Sequence, residues 1–306
     1  MTGRAAEEGR SFTIVPRGPF SLQELATFGF GQRAGEDFDG VMRLAFCMDN
    51  YRDQVGVEIR EDASGVHGIV VGEGDLPAVV RQVSRVLSLD HDGDAFLRVG
   101  ERNPVIGRLQ AASPGLRPPL FYSPYEAAAW SIIGARRPAR QMAEVRRRMS
   151  ETYGRVFELA GQQLAALPTP DRMVAIESFP GLTEDKIDRL HGVARAALSG
   201  QLDIDRISAM DPAEAMADLQ TIKGIGPFYG ALIVIRAAGH ADVLPTNEPK
   251  SLELTAALYG LPRPPTPVEF EAMAAPWRPF RTWAAVLIRA AGPAVLAEQP
   301  RRQTDG

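Results

Sequence analysis

Hydrophobic and polar residues follow two different patterns along the chain of 306 residues. In the first hundred residues, apolar and polar residues alternate over 54–60 and 65–71, on either side of a short polar turn, which predicts a β-hairpin. Further strands are predicted over 11–15 and 41–47, and helices over 22–28 and 75–87. This part of the chain is therefore predicted to be a small antiparallel α+β domain.

After Pro114 the apolar residues recur at helical spacing, and several segments begin with a Ser, Thr or Asp that suits a helix N-terminus. Helices are predicted over 124–133, 140–153, 162–167, 170–178, 183–199, 212–219, 230–238, 251–258, 267–274 and 283–290. The fold class is α+β. The predicted organisation is a disordered tail (1–10), the N-terminal α+β domain (11–112), an all-helical domain (113–294) and a second disordered tail (295–306).

Composition excludes several classes of protein. The single cysteine, Cys47, excludes a disulfide framework, a thiolate zinc site and a cysteine-ligated iron–sulfur cluster. The first residues lack the apolar stretch of a secretory signal, and no run reaches the roughly 18 apolar residues of a membrane span. A cytoplasmic protein is therefore expected.

The net charge of −4 argues against a nucleic-acid partner, but the charge is unevenly distributed. The first hundred residues carry about −6 and the remainder about +2. The segment 131–150 contains one acidic residue and six arginines: Arg136, Arg137, Arg140, Arg146, Arg147 and Arg148. Such a run is often only a solvated helix face, yet local basicity matters more for phosphate contact than net charge does. The cluster therefore keeps a nucleic-acid partner open.

The most specific motif is LQTIKGIGPFYGAL at 219–232. Gly224 and Gly226 bracket Ile225 in a predicted tight turn, and Pro227 suits the first turn of the next helix. Exposed amides there can hold a phosphate, so the motif predicts a helix-hairpin-helix that grips a DNA backbone. The candidate DNA-binding residues are Thr221, Lys223, Gly224, Ile225, Gly226, Pro227 and Phe228, together with Arg136 and Arg137. An ordinary αα-hairpin with a glycine-rich turn fits these residues equally well.

The motifs that follow the hairpin give the chain a family resemblance. They are DVLPTNEPK at 242–250, LYG at 258–260 and PWRPFRTWAA at 276–285. Upstream matches are VSRVLSL at 83–89, GRL at 107–109, PGLRP at 114–118 and YEAAAWSIIG at 125–134. In this order they resemble the helix-hairpin-helix DNA glycosylases, most closely the 3-methyladenine DNA glycosylase II (AlkA) type. The resemblance covers roughly residues 12–292.

The resemblance implies hydrolysis of the N-glycosidic bond of an alkylated or otherwise damaged base that is flipped out of the duplex. An aspartate after the Val-x-Pro stretch stabilises the positive charge that develops on the deoxyribose in that family. No aspartate stands there in this chain. Counting back from the LYG motif places Glu248 at the position, and counting forward from Pro245 places Asn247 there. Lys250 is expected to be able to pair with Glu248.

Other family positions are also changed. Ala135 and Arg136 stand where the family has a glutamine and an apolar wedge. Arg289 replaces an aromatic pocket wall, which thins the electron-rich cage for cationic bases. The base pocket implied by the resemblance consists of Tyr125, Phe228, Leu232, Trp283 and Arg289. The aromatic members fit a structural core equally well.

The resemblance also bears on cofactors and partners. It suggests a monovalent cation, Na⁺ or K⁺, on the backbone carbonyls of Gln220, Ile222 and Gly224. Phe228 stands where lyase-active members carry a lysine, so a monofunctional glycosylase is expected. The protein is expected to be a monomer. Its expected partner is double-stranded DNA that contains damaged bases, and no membrane partner is expected. The alternatives are a catalytically impaired or inactive DNA-binding member of the fold and, less favoured, a protein-interaction role without DNA.

Overall fold

The computed structural model describes residues 10–28, 37–246 and 248–298. The first part of the chain forms a four-stranded antiparallel sheet in the order β1-β4-β3-β2. Its strands are β1 (Arg10–Ile14), β2 (Met42–Cys47), β3 (Gln54–Asp62) and β4 (Gly65–Val71). The helices of this part are α1 (Leu22–Thr27), α2 (Leu76–Val86), α3 (Gly93–Arg102) and α4 (Pro104–Ala112). The predicted α+β class is confirmed.

The rest of the described chain is mainly helical. Its helices are α5 (Pro124–Gly134), α6 (Ala139–Tyr153), α7 (Pro170–Val174), α8 (Glu184–Leu198), α9 (Ile204–Ala209), α10 (Pro212–Leu219), α11 (Pro227–Arg236), α12 (Pro249–Tyr259), α13 (Pro267–Ala274) and α14 (Arg281–Ala297). A short 3-10 helix (Ala275–Trp277) joins α13 to α14. None of the helices within the described ranges has both the length and the apolar character that crossing a bilayer demands.

The segment 162–167 is not a helix, and the prediction for it was wrong. Gln162–Ala165 forms strand β6, which pairs with β5 (Val156–Leu159) in a separate two-stranded sheet. Ala160 and Gly161 both have positive φ, 41° and 77°, which reverses the chain tightly between the strands. Arg43 of β2 donates from Nε to the Leu159 carbonyl at 3.0 Å and ties this hairpin to the N-terminal sheet. The body after residue 113 is therefore not all-helical.

The buried apolar residues form two main clusters. One is built by the N-terminal elements together with the last helices, where Phe280 and Trp283 pack beside Phe96 of α3 and Trp277 packs against Phe270. The other fills the helical body from α5 to α11. The last helices therefore complete the core of the N-terminal sheet, and the core is not divided at residue 112. Residues 295–297, predicted as part of a tail, belong to α14.

Candidate functional site

The turn between α10 and α11 has the geometry of the predicted hairpin. Gly224 has a φ of +99°, a conformation that favours glycine. A Cβ at this position would lie 2.7 Å from Cδ1 of Ile132 and 3.0 Å from Cδ of Arg189, so the turn packs tightly on α5 and α8. Ile225 is buried in the core of the helical body. The sequence therefore places a fixed, glycine-dependent turn against two neighbouring helices.

The start of α11 exposes backbone donors. Its N-cap residue is Gly226, which offers no side chain to cap the helix. In the part of the chain that the structure describes, the amide groups of Gly224, Gly226 and Phe228 have no hydrogen-bond acceptor. Free N–H groups at the positive end of a helix dipole form a site for an anion such as phosphate.

The six predicted arginines divide into two groups. Arg136, Arg137 and Arg140 are exposed, and no acidic group of the described residues lies within 4 Å of them. The other three pair with carboxylates: Arg146 with the buried Glu126 at 2.6 Å, Arg147 with Glu144 and Glu151, and Arg148 with Glu144 at 3.9 Å. Only the first group is left to contact a ligand.

The α5–α6 turn that carries these free arginines adjoins the hairpin. Arg136 has a φ of +57°, which is uncommon for a residue with a Cβ. Lys186 of α8 donates from Nζ to the carbonyls of Ile133 at 2.6 Å and Ala135 at 3.1 Å, and so holds the end of α5. Burial, followed by the charges of Arg137 and Arg189, lowers the pKa of Lys186. Because α8 also contacts Gly224, one surface combines the arginine turn with the hairpin turn.

Glu248 lies at the N-cap of α12 and is partly exposed. Its Oε2 atom accepts a hydrogen bond from the Ser251 amide at 2.8 Å and another from the Ser251 hydroxyl. No partner of Oε1 is present among the residues described. Glu248 is thus oriented by one oxygen while the other stays available. The alternative position, Asn247, lies outside the described residues.

Two features of this carboxylate differ from expectation. Lys250 pairs with Glu253 at 3.2 Å and not with Glu248, so the expected pairing was wrong. Instead Arg289 of α14 places Nε 3.4 Å from Oε2 of Glu248. Lys250 contacts Glu253, which lies about one turn further along α12. Arg289 reaches Glu248 because α12 packs on α14. The sequence indicates both Glu248 and Arg289 but not their contact, because no sequence pattern signals a pairing between residues 41 positions apart.

The residues assigned to a base pocket are not brought together. Tyr125 has no exposed surface and donates from its hydroxyl to the Pro168 carbonyl at 2.8 Å. Trp283 is 3% exposed and packs against Phe96 and Phe280 in the other core. Both are core residues here, which corrects the assignment, because a base could reach neither ring without disrupting the packing. Leu232 is half-buried in α11.

Phe228 differs from these core aromatics because it is 61% exposed at the start of α11. Its ring meets that of Tyr229 edge-on, with 5.3 Å between the centroids. An exposed aromatic ring beside free helix amides is suited to stacking on a base.

A groove with no predicted site residue lies elsewhere on the protein. It has a volume of about 810 Å³ and is lined by the segment 48–50, α2, α9 and the segment 238–241, including Asp49, Arg85 and His240. None of the residues predicted for the site lines it. Among the described residues no group of three or more His, Cys, Asp or Glu side chains is arranged to hold a metal ion. The candidate functional residues therefore lie at the hairpin, in the arginine turn and at Glu248 on the start of α12, and not in this groove.

No protein-family model matches the chain. A DNA-3-methyladenine glycosylase of Bacillus subtilis is 21% identical over 210 residues, which are 67% of this chain and 69% of that protein. The solved 3-methyladenine DNA-glycosylase of Archaeoglobus fulgidus superposes with a TM-score of 0.73 at 17% identity, over 93% of this chain and 98% of the other.

A second solved structure, MBOgg1 in complex with a low-affinity DNA ligand, gives a TM-score of 0.72 at 18% identity. The match covers 96% of this chain and 99% of that one. The chain has the fold of the helix-hairpin-helix DNA glycosylases. The resemblance predicted from the sequence is confirmed. Within the glycosylase fold, Gly224 and Gly226 form the hairpin, and Glu248 begins the helix that follows it.

Proposed function

We propose that this protein is a monofunctional DNA glycosylase that hydrolyses the N-glycosidic bond of alkylated or otherwise damaged bases in double-stranded DNA. The observation that carries the proposal is the carboxylate of Glu248 at the start of the helix after the hairpin, which is fixed through one oxygen and has no partner at the other among the described residues. The similarity of the chain to proteins named as 3-methyladenine DNA glycosylases supports the same activity over a purely DNA-binding role.

The hairpin and the arginine turn supply the grip on DNA. The free amides of Gly224 and Gly226 would hold one phosphate, while Lys223, 71% exposed, and the unpaired Arg136 and Arg137 would attract others. These contacts carry no sequence information, which suits an enzyme that must search all of the DNA for damage. Arg136, raised on its left-handed backbone, would fill the space that a flipped base leaves.

The chemistry follows from the charge of Glu248. Positive charge develops on the deoxyribose as the bond to the base breaks, and a nearby carboxylate stabilises that charge. The free Oε1 would face the sugar or a water molecule, while Ser251 and Arg289 hold Oε2. Phe228 stands where a lysine nucleophile would be needed for strand cleavage, so the reaction ends at an abasic site.

A monovalent cation would strengthen the phosphate site. The carbonyls of Gln220 and Gly224 receive no hydrogen bond within the described ranges, and that of Ile222 accepts one from the Ile225 amide at 2.9 Å, so the three oxygens suit a Na⁺ or K⁺ ion. Bound there, the ion would attract a DNA phosphate by its charge. We also propose that the protein acts as a monomer on DNA in the cytoplasm.

The test is release of bases from methylated duplex DNA by the wild type, Glu248→Gln and Asn247→Asp. The wild type should release methylated bases, and Glu248→Gln should lower the rate by about a hundredfold, since the amide keeps the cap acceptor but loses the charge. An active Glu248→Gln variant would remove Glu248 from the mechanism. An inactive wild type together with an active Asn247→Asp variant would show an impaired member of the fold, whose lost aspartate belonged at residue 247.

A further inference from the structure

Arg289 is the charged group that stands closest to Glu248 in the described structure, and its guanidinium is only partly used. Its Nε atom lies 3.4 Å from Oε2 of Glu248, and its side chain is 44% exposed. Among the residues that the structure describes, its two terminal nitrogens donate no hydrogen bond. Two nitrogens of a planar donor fork are therefore free for a ligand beside the carboxylate.

The pair changes the electrostatics of the site. A lone carboxylate attracts a cationic base, whereas Glu248 and Arg289 together carry no net charge. The guanidinium also repels a base that is itself positive, as purines methylated at N3 or N7 are. Neither Tyr125 nor Trp283 supplies an aromatic ring in place of Arg289, because both are buried in the two cores.

The same guanidinium favours a different class of base. Arginine donates two parallel hydrogen bonds to the O6 and N7 acceptors of a purine edge. A neutral 6-oxopurine, such as the hypoxanthine that deamination of adenine leaves, offers both acceptors. A purine methylated at N7 has lost one acceptor and gained a positive charge.

We infer that Arg289 makes this chain select neutral oxopurine lesions over cationic alkylated purines. The inference rests on the proposed function, because it requires the pair formed by Glu248 and Arg289 to face the base that is excised. Arg289 is thus a specificity-determining residue, and Glu248 keeps the role of stabilising charge on the sugar.

The experiment compares two duplexes that differ only in the lesion, hypoxanthine or 7-methylguanine, in single-turnover excision by the wild type, Arg289→Gln and Arg289→Trp. Each rate is divided by the rate of spontaneous base loss. The wild type should favour hypoxanthine at least tenfold. Arg289→Gln, which removes the charge at similar length, should lose most of this preference, and Arg289→Trp should move it at least tenfold toward 7-methylguanine.

A wild type that favours 7-methylguanine, or a preference that stays within threefold in both variants, would overturn the inference. Failure of the proposed function is a separate outcome, in which neither base is released although the duplexes are bound. In that case equilibrium binding decides: tighter binding of the hypoxanthine duplex that Arg289→Gln abolishes supports the inference, and equal binding of both duplexes contradicts it. Circular dichroism of each variant confirms that it is folded.

Discussion

At the scale of single residues, the two hairpin glycines differ in backbone conformation and in the space around them. Gly224 lies in the left-handed region and leaves no room for a Cβ, whereas Gly226 has a φ of −89° and open space around the position of its missing Cβ. The sequence motif identified both but could not distinguish them, because the close neighbours of Gly224, Ile132 and Arg189, come from distant parts of the chain.

Substitution by alanine should affect stability differently at Gly224 and Gly226. Gly224→Ala should lower the free energy of unfolding by about 1–3 kcal/mol, because it combines backbone strain with a clash against Ile132. Gly226→Ala, the matched control, should change stability by less than about 1 kcal/mol. Urea denaturation measures both values. Equal losses of stability in the two variants would argue against the packing of the turn described above.

The position of Glu248 can be predicted from the sequence, but its ion pair with Arg289 cannot. Glu248 follows from its distance to the LYG motif, and the structure places it at a helix N-cap. Its ion pair with Arg289, however, depends on how α12 and α14 pack, which no local pattern records. The same holds for Tyr125 and Trp283, since aromatic residues serve a pocket or a core equally well until the surrounding side chains are known.

At the scale of elements, most helices and the four-stranded sheet were predictable because their apolar periodicity is strong. Helices α3 and α4 were missed, although Asp92 and Asn103 cap them by accepting amide hydrogen bonds. Strand β6 was predicted as a helix and strand β5 was missed, because four-residue strands are too short to establish a period. Cap residues would have been the better signal for the missed helices.

The α5–α6 turn leads to a prediction about DNA binding. Exchange of both Arg136 and Arg137 for Gln should weaken binding to undamaged duplex and lower the slope of log affinity against log salt by about 2. Arg147→Gln is the matched control, because Arg147 is already paired with Glu144 and Glu151 on the same stretch of chain. A double variant with the slope of the wild type would exclude this turn from the interface.

The start of α13 leads to a prediction about pH. The guanidinium of Arg263, together with the amide and hydroxyl of Thr266, lowers the pKa of Glu269 to about 2. A carboxyl group whose pKa is depressed in the folded state stabilises the protein above its unfolded pKa, near 4.3, and loses this effect as the pH falls toward 2. Glu269→Gln should therefore be less stable than the wild type at pH 6, and the difference should shrink by pH 2.5. A difference that is constant with pH in thermal unfolding would contradict this.

At the scale of the whole molecule, the N-terminal sheet and the last helix share one core. Local periodicity predicts two separate domains, because contacts between the first and the last hundred residues leave no trace in it. The shared core has a consequence for the site, since it fixes α14, and with it Arg289, relative to Glu248.

Substitution of Trp283 tests whether the N-terminal sheet and the last helix share one core. Trp283→Ala should lower the free energy of unfolding by about 3–5 kcal/mol, as for other large buried side chains. Far-ultraviolet circular dichroism and tryptophan fluorescence should still report one transition. Base release at a temperature where the variant stays folded should match that of the wild type, because the ring does not reach the site. Loss of activity without loss of stability would return Trp283 to the pocket.

The acidic excess and the DNA-binding candidates occupy different parts of the molecule. The acidic excess lies in the first hundred residues, whereas the free amides lie at the hairpin and the arginines without an acidic partner among the described residues lie in the α5–α6 turn and on α6. A net charge of −4 is therefore compatible with a DNA-binding surface, because the contacts with phosphate are local.

The most direct test of the central proposal is a count of abasic sites in a duplex with one damaged base after incubation with the protein. Aliquots are analysed with and without alkali, which cleaves the strand at abasic sites. The wild type should generate strand breaks only after alkali treatment, and Glu248→Gln should generate about a hundredfold fewer in the same time. Strand breaks without alkali, or no abasic sites although the duplex is bound, would contradict a monofunctional glycosylase.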